Sequence, residues 1–123
     1  MKITSFYPSI ITEKSEDAIK LFEELGFERR HRQTGINDED ITSVTMKDAN
    51  GFRVNVTQMD HATQDIVAIH INVDDFDEAY ELLTAHGFKN AQGEKLTETG
   101  SARATMMVSP SGYAINLVKH IKK

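Results

Sequence analysis

Few residues of this 123-residue chain could do chemistry, and most of them sit in segments of alternating character. Arg53, Asn55 and Thr57 alternate with Phe52, Val54 and Val56. Ala68, His70 and Asn72 alternate with Ile69, Ile71 and Val73, and Ala114, Asn116 and Val118 alternate with Tyr113, Ile115 and Leu117. Successive side chains of a strand point to opposite faces, so each segment has an apolar side for a core and a mixed side that could line a cavity. The mixed sides carry an imidazole that titrates near neutral pH and amides that both donate and accept. They also carry a guanidinium suited to a carboxylate or phosphate. This equipment suits binding more than catalysis. No Ser-His-Asp order, glycine-rich phosphate loop or pair of catalytic carboxylates stands out, and no acid is placed by the sequence beside His70. Glu23-Glu24 and Asp74-Asp75 fit helix faces and helix starts. The chain has no cysteine, which removes thiolate nucleophiles, redox pairs, disulfide frameworks and cysteine zinc sites.

Each candidate also has a plainer role. His70 alone on a mixed strand face reads as a hydrogen-bonded lining residue. Asn55 and Asn116 either hold a ligand from two sides or bond each other or the backbone. Arg53 is either an anion contact or a charge at a cavity mouth. Met46, Met106 and Met107 read as core filler. His61 lies in a connector, His120 near the end of the last strand segment, and His86 at a helix end, where the helix dipole favours it. The one basic cluster, Arg29, Arg30, His31 and Arg32, alternates in a strand so that only two share a side. It reads as an edge strand guarded by charge, with a local site for an anionic ligand as the sharper alternative.

The elements that position these residues come twice. DAIKLFEELGF (17–27) matches EAYELLTAHGF (78–88), and DANGFRVNVT (48–57) matches SPSGYAINLV (109–118). The spacing agrees at two anchors: 87 − 26 = 61 for the helix-ending glycines and 112 − 51 = 61 for the turn glycines. Two anchors at one offset mark a tandem repeat of about half the chain. Residues 3–12 read as a strand, with Pro8 favouring an edge or a bulge. Ser15 caps a helix that closes at Gly26, with Ala18, Leu21, Phe22 and Leu25 on its buried face and Ile19 flanking. A polar strand (28–34), a loop (35–40), a strand (41–47), an Asn50-Gly51 turn and a strand (52–58) follow. After the connector 59–65 the order restarts: strand 66–73, helix 74–87, a polar stretch 88–100, strand 101–108, a Pro110 turn and strand 113–120. The fold class is therefore α+β, two tandem βαβββ modules at about 1–60 and 66–121 within a single domain, 1–123.

A chain of this length can bury roughly two-thirds of its unfolded surface and needs no staple. Its net charge of −5 disfavours nucleic acid as a partner. No apolar run reaches the roughly 18 residues of a membrane span, and MKITSFYPSIIT does not read as a signal peptide. A cytoplasmic location is expected.

The doubled motifs, Leu25-Gly26-Phe27 and His86-Gly87-Phe88 at the helix ends, with the turns Asp48-Ala49-Asn50-Gly51 and Ser109-Pro110-Ser111-Gly112, resemble the vicinal oxygen chelate (glyoxalase/bleomycin-resistance/dioxygenase) superfamily over nearly the whole chain. The resemblance implies a curled mixed sheet with a cleft; a ferredoxin-like sandwich is the alternative fold. Metal-dependent members hold a divalent ion with a residue from the first strand and one from the last strand of each module, usually His and Glu. Counting five residues back from Ile11 and Val73 gives Phe6 and Ala68; counting four on from Gly51 and Gly112 gives Asn55 and Asn116. None of these suits a divalent cation, so no metal and no cofactor is expected. The cleft is then lined by Phe6, Pro8 and Ile10 from the first strand, with the mixed faces of Arg53–Thr57, Ala68–Asn72 and Ala114–Val118. The expected ligand contacts are Phe6, Arg53, Asn55, Ala68, His70, Asn72 and Asn116. The resemblance points to a metal-independent small-molecule binder of the bleomycin-resistance type and to a homodimer. Two alternatives stay open: a metal-dependent lyase, isomerase, dioxygenase or thiol transferase, and a structural or regulatory interaction module.

Overall fold

The computed structural model describes residues 1–33, 42–60, 64–98 and 102–120. The loop expected at 35–40, His61 and the end of the chain from 121 lie outside these. The chain forms two compact units, Tyr7–Val67 and Met1–Phe6 with Ala68–Lys123. The division falls inside two strands, β1 (Ile3–Thr12) and β5 (Ile66–Val73).

In the Tyr7–Val67 unit, β1 leads into α1 (Ser15–Glu24), β2 (Glu28–Gln33), β3 (Thr42–Lys47) and β4 (Arg53–Gln58). The strands lie in the order β2-β3-β4-β1, antiparallel except for the parallel β1–β4 pair. β2 is the edge, as its charge suggests. Ile19 of α1, only 1% exposed, packs with Val44, Met46, Val54 and Val56. Ile10, Ala18, Phe22 and Phe27 close this core. Three sequence expectations change. The helix buries the Ile19 side, and Leu21 and Leu25 are exposed. Leucines at i and i+4 share a helix face, but that face is turned away from the strands. In β1, Ile10 packs on the helix side, while Phe6 and Pro8 are exposed. The buried, polar-facing positions of the strand are Tyr7, Ser9 and Ile11. Ser15 also does not cap α1. It is the first helical residue, and its N–H donates to Gln58 Oε1 at 3.0 Å.

In the other unit, β5 is followed by α2 (Phe76–Ala85), β6 (Lys89–Asn90), β7 (Thr97–Glu98), β8 (Ala102–Val108) and β9 (Ala114–His120). The start of β1 lies beside β5, which pairs in parallel with β9; β8 pairs antiparallel with β9 and carries β6 and β7. The second strand of this βαβββ set is thus two short pieces. Between them Asn90 accepts from Thr105 Oγ1 and from the Gln92 N–H, and donates to the Lys95 carbonyl. Side-chain bonds there take the place of a continuous ladder. Val73, Phe76, Ala79, Phe88, Met107, Ile115 and Leu117 form the core under α2. α2 is capped by Asp75, whose carboxylate accepts the Glu78 N–H. Met46 and Met107 are fully buried core residues, as expected of core filler, whereas Met106, expected with them, is only half-buried. Among the described residues no helix is long and apolar enough to cross a membrane.

Candidate functional site

The mixed face of β4 is built around one amide. Asn55 lies opposite Ser9 of β1 and Thr45 of β3. Its Oδ1 accepts from Ser9 Oγ at 2.9 Å and from Thr57 Oγ1 at 2.8 Å. Its Nδ2 donates to Ser43 Oγ at 2.6 Å and to Thr45 Oγ1 at 3.2 Å. An amide offers two acceptor and two donor positions, so Asn55 is saturated. It is also buried. Tyr7 stands on the same face. Burial pushes its phenol pKa up, while a hydrogen bond with Thr45 and the charge of Arg53 pull it down. Arg53 itself is exposed.

In the other unit the same face of β5 and β9 carries a chain rather than a hub. Asn116 Nδ2 lies 3.3 Å from His70 Nδ1, and His70 Nε2 lies 3.0 Å from Asn72 Oδ1. Asn72 Nδ2 then donates to Ser5 Oγ at 2.6 Å. An amide nitrogen can only donate and an amide oxygen only accept. The arrangement therefore fits the neutral tautomer with the proton on Nε2. Burial lowers the His70 pKa from 6.5 to about 4; the bond to Asn72 opposes the shift and the charge of His120 adds to it. At neutral pH His70 is an uncharged strut with both ring nitrogens engaged. Asn116 is half-buried and uses one N–H on His70; none of the described residues pairs with its carbonyl oxygen or second N–H. Ala68 is wholly buried on the His70 side of β5.

The strand pairing sets Ser9 beside Asn55 and His70 beside Asn116. These two pairs are related by the repeat: 70 − 9 = 61 and 116 − 55 = 61. Counting back from the helix starts gives Phe6 and Ala68, and 68 − 6 = 62, one residue out of step with both glycine anchors. Phe6 lies three residues from Ser9, on the opposite strand face, and is 64% exposed. Ser9 and Ser5 thus escape a reading based on helix starts, although carrying the 61-residue offset from His70 leads straight to Ser9. Asn55 and Asn116 stand where the repeat places them.

Neither pair carries a carboxylate. Ser9–Asn55 supplies a hydroxyl and an amide in one unit, and His70–Asn116 supplies an imidazole and an amide in the other. The imidazole has no ring nitrogen left over, and Asn55 has no lone pair left. Neutral oxygens leave a dication's charge uncompensated at high cost, so these residues do not fit a divalent ion. Among the described residues, no three His, Asp or Glu side chains come close enough to hold one.

The model of the Glyoxalase/Bleomycin resistance protein/Dioxygenase superfamily matches residues 6–117. The chain belongs to this superfamily. Its fold is the glyoxalase/bleomycin-resistance fold, with the tandem βαβββ order that the sequence repeat predicts. Solved structures agree on the fold at low identity. A methylmalonyl-CoA epimerase matches with a TM-score of 0.69 at 20% identity, over 94% of both chains. The methylmalonyl-CoA epimerase of Mycobacterium tuberculosis matches with a TM-score of 0.73 at 14% identity, over 98% of this chain and 90% of that one. An E144Q variant of glyoxalase I from Zea mays matches with a TM-score of 0.71 at 12% identity, over 98% of this chain and 45% of that one. No curated protein matches the sequence.

Proposed function

We propose that this superfamily member binds a small organic molecule without a metal ion, and that Asn116 is its principal polar contact. The support is the state of that amide. It is held in place by His70, which is braced by Asn72 and Ser5, yet among the described residues it keeps an acceptor and a donor unspent. A rigid polar group among apolar neighbours is the usual make-up of a ligand pocket, and Ala114 and Val118 provide the apolar part on the same face of β9. Asn55 and Phe6 drop out as contacts, the first because it is saturated and the second because it faces away. A cytoplasmic homodimer without nucleic-acid or membrane partners belongs to the same proposal, consistent with the net charge of −5. A lyase or dioxygenase chemistry would need the metal that the donor set does not suit.

Two measurements test this. Elemental analysis of protein purified without chelator is expected to find no stoichiometric divalent metal; one ion per chain would overturn the proposal. A thermal-shift screen of small metabolites is expected to raise the melting temperature of the wild type, since a ligand that binds the folded state stabilises it. Any such shift is expected to shrink in Asn116→Ala, and a hit with the same affinity in both proteins would remove Asn116 from the site.

A further inference from the structure

The basic cluster of β2 lies on the helix side of the Tyr7–Val67 unit, away from the mixed face of β4. The β2–β3 ladder pairs Arg29 with Met46, His31 with Thr45 and Arg32 with Val44, and its register shifts between Arg29 and His31. Arg30 is thus the extra residue of a bulge, a device that re-aims side chains on a strand. In a regular strand Arg29 and Arg32, three apart, would face opposite ways. With the bulge both stand opposite residues of the core beneath α1. A cavity of about 260 Å³ opens there, walled by Arg29, Arg30 and Arg32 with Ser15, Glu16 and Thr42. Its floor is apolar, made by Ile19, Val44 and Val56.

Among the described residues, the ion pairs leave this groove with a spare cation. Arg29 reaches Glu16 at 3.2 Å and Glu23 at 3.4 Å, and Arg30 reaches Glu28 at 3.2 Å. Arg32 pairs with no acid among the described residues. The existing pairs are all solvent-exposed, and exposed pairs are weak enough to be exchanged for a better partner. Bringing two guanidinium groups to one side above an apolar floor makes a receptor.

We infer that the β2–α1 groove binds a small organic anion, a carboxylate or phosphate monoester with a short apolar stem. Arg32 is its primary charge contact, and Arg29 becomes the second when the anion displaces Glu16. A planar guanidinium meets such an oxyanion through two parallel hydrogen bonds, and the stem lies over Ile19, Val44 and Val56. The site is independent of the Asn116 face and stands or falls separately from it.

The test is an NMR titration of the full chain with phenyl phosphate, at constant ionic strength against sodium chloride, with inorganic phosphate as a second probe. Saturable amide shifts are expected at Ser15–Ile19, Arg29–Arg32 and Thr42, stronger with phenyl phosphate than with inorganic phosphate. Arg32→Gln is expected to weaken binding about tenfold, the loss of a charge-assisted contact. Glu16→Gln is expected to strengthen it, because it removes one of the two carboxylates that hold Arg29. Both positions are at the surface, so unchanged melting temperatures will confirm that both variants fold. Shifts no larger than those with chloride, or an affinity indifferent to Arg32→Gln, would overturn the inference. Equal response to both phosphates would remove the apolar stem from it.

Discussion

The two repeat-related polar faces started from one pattern and ended in different states. On β4, Asn55 spends its whole hydrogen-bonding capacity on Ser9, Ser43, Thr45 and Thr57. On β9, Asn116 spends one N–H on His70. The first arrangement is a closed hub that ties three strands together. The second is an open chain ending in a group with bonds to give. The difference comes from the neighbours: hydroxyls surround Asn55, whereas Ala114, Val118 and Ala68 flank Asn116. A residue type at a repeat-related position thus becomes structural or available according to how many small polar side chains the adjacent strands supply.

The sharpest way to break this comparison is to truncate both amides. Asn55→Ala strands the buried Ser9 hydroxyl and three half-buried ones and is expected to cost about 3–4 kcal/mol in urea unfolding. Asn116→Ala loses one half-buried bond and is expected to cost about 1 kcal/mol. Equal losses would mean the two faces are alike after all.

The imidazole of the open chain supplies the next largest effect. With its folded pKa near 4 against 6.5 for the ordinary group, the unfolded chain takes the proton first as pH falls. The stabilisation is complete above pH 6.5 and is lost between pH 6.5 and about 4, by roughly 3 kcal/mol. Stability curves of the wild type and His70→Gln are expected to diverge in that window and run parallel above it. No matching loss is expected from the Ser9–Asn55 face, which has no group titrating there.

The helix ends differ as well. Gly26 and Gly87 both have positive φ, 106° and 89°, so Ala at either strains the backbone by about 1–2 kcal/mol. A Cβ at Gly87 would also sit 2.8 Å from Pro110 Cγ, whereas one at Gly26 meets nothing within 4 Å. Gly87→Ala is therefore expected to cost at least about 1 kcal/mol more than Gly26→Ala in thermal unfolding. The smallest effect is at the helix starts. Asp75→Ala removes a real cap and costs about 1 kcal/mol. Ser15→Ala, whose side chain caps nothing, is expected to leave the melting temperature close to that of the wild type.

Local spacing alone determined much of this protein. Alternation in 52–58, 66–73 and 113–120 separated the two faces of β4, β5 and β9, because pleating is a property of the backbone, although Phe52, Ile69 and Tyr113 of the expected core sides are exposed. The 61-residue repeat and its glycines gave the doubled βαβββ order for the same reason: each turn and helix end is decided within a few residues. Tertiary structure decided what depends on partners distant in the chain. Ile19 rather than Leu21 became the buried face of α1 because Val44, Met46, Val54 and Val56 lie under it. β1 turned Ser9 rather than Phe6 toward Asn55 because its register is set by pairing with β4, and one residue of slip exchanges the faces of a strand. The bulge that gathers Arg29 and Arg32, and the saturation of Asn55 by a serine 46 residues away, have no local signature. A side chain's hydrogen-bonding capacity is written in its type, but what remains of it is known only once the neighbouring strands have taken their share.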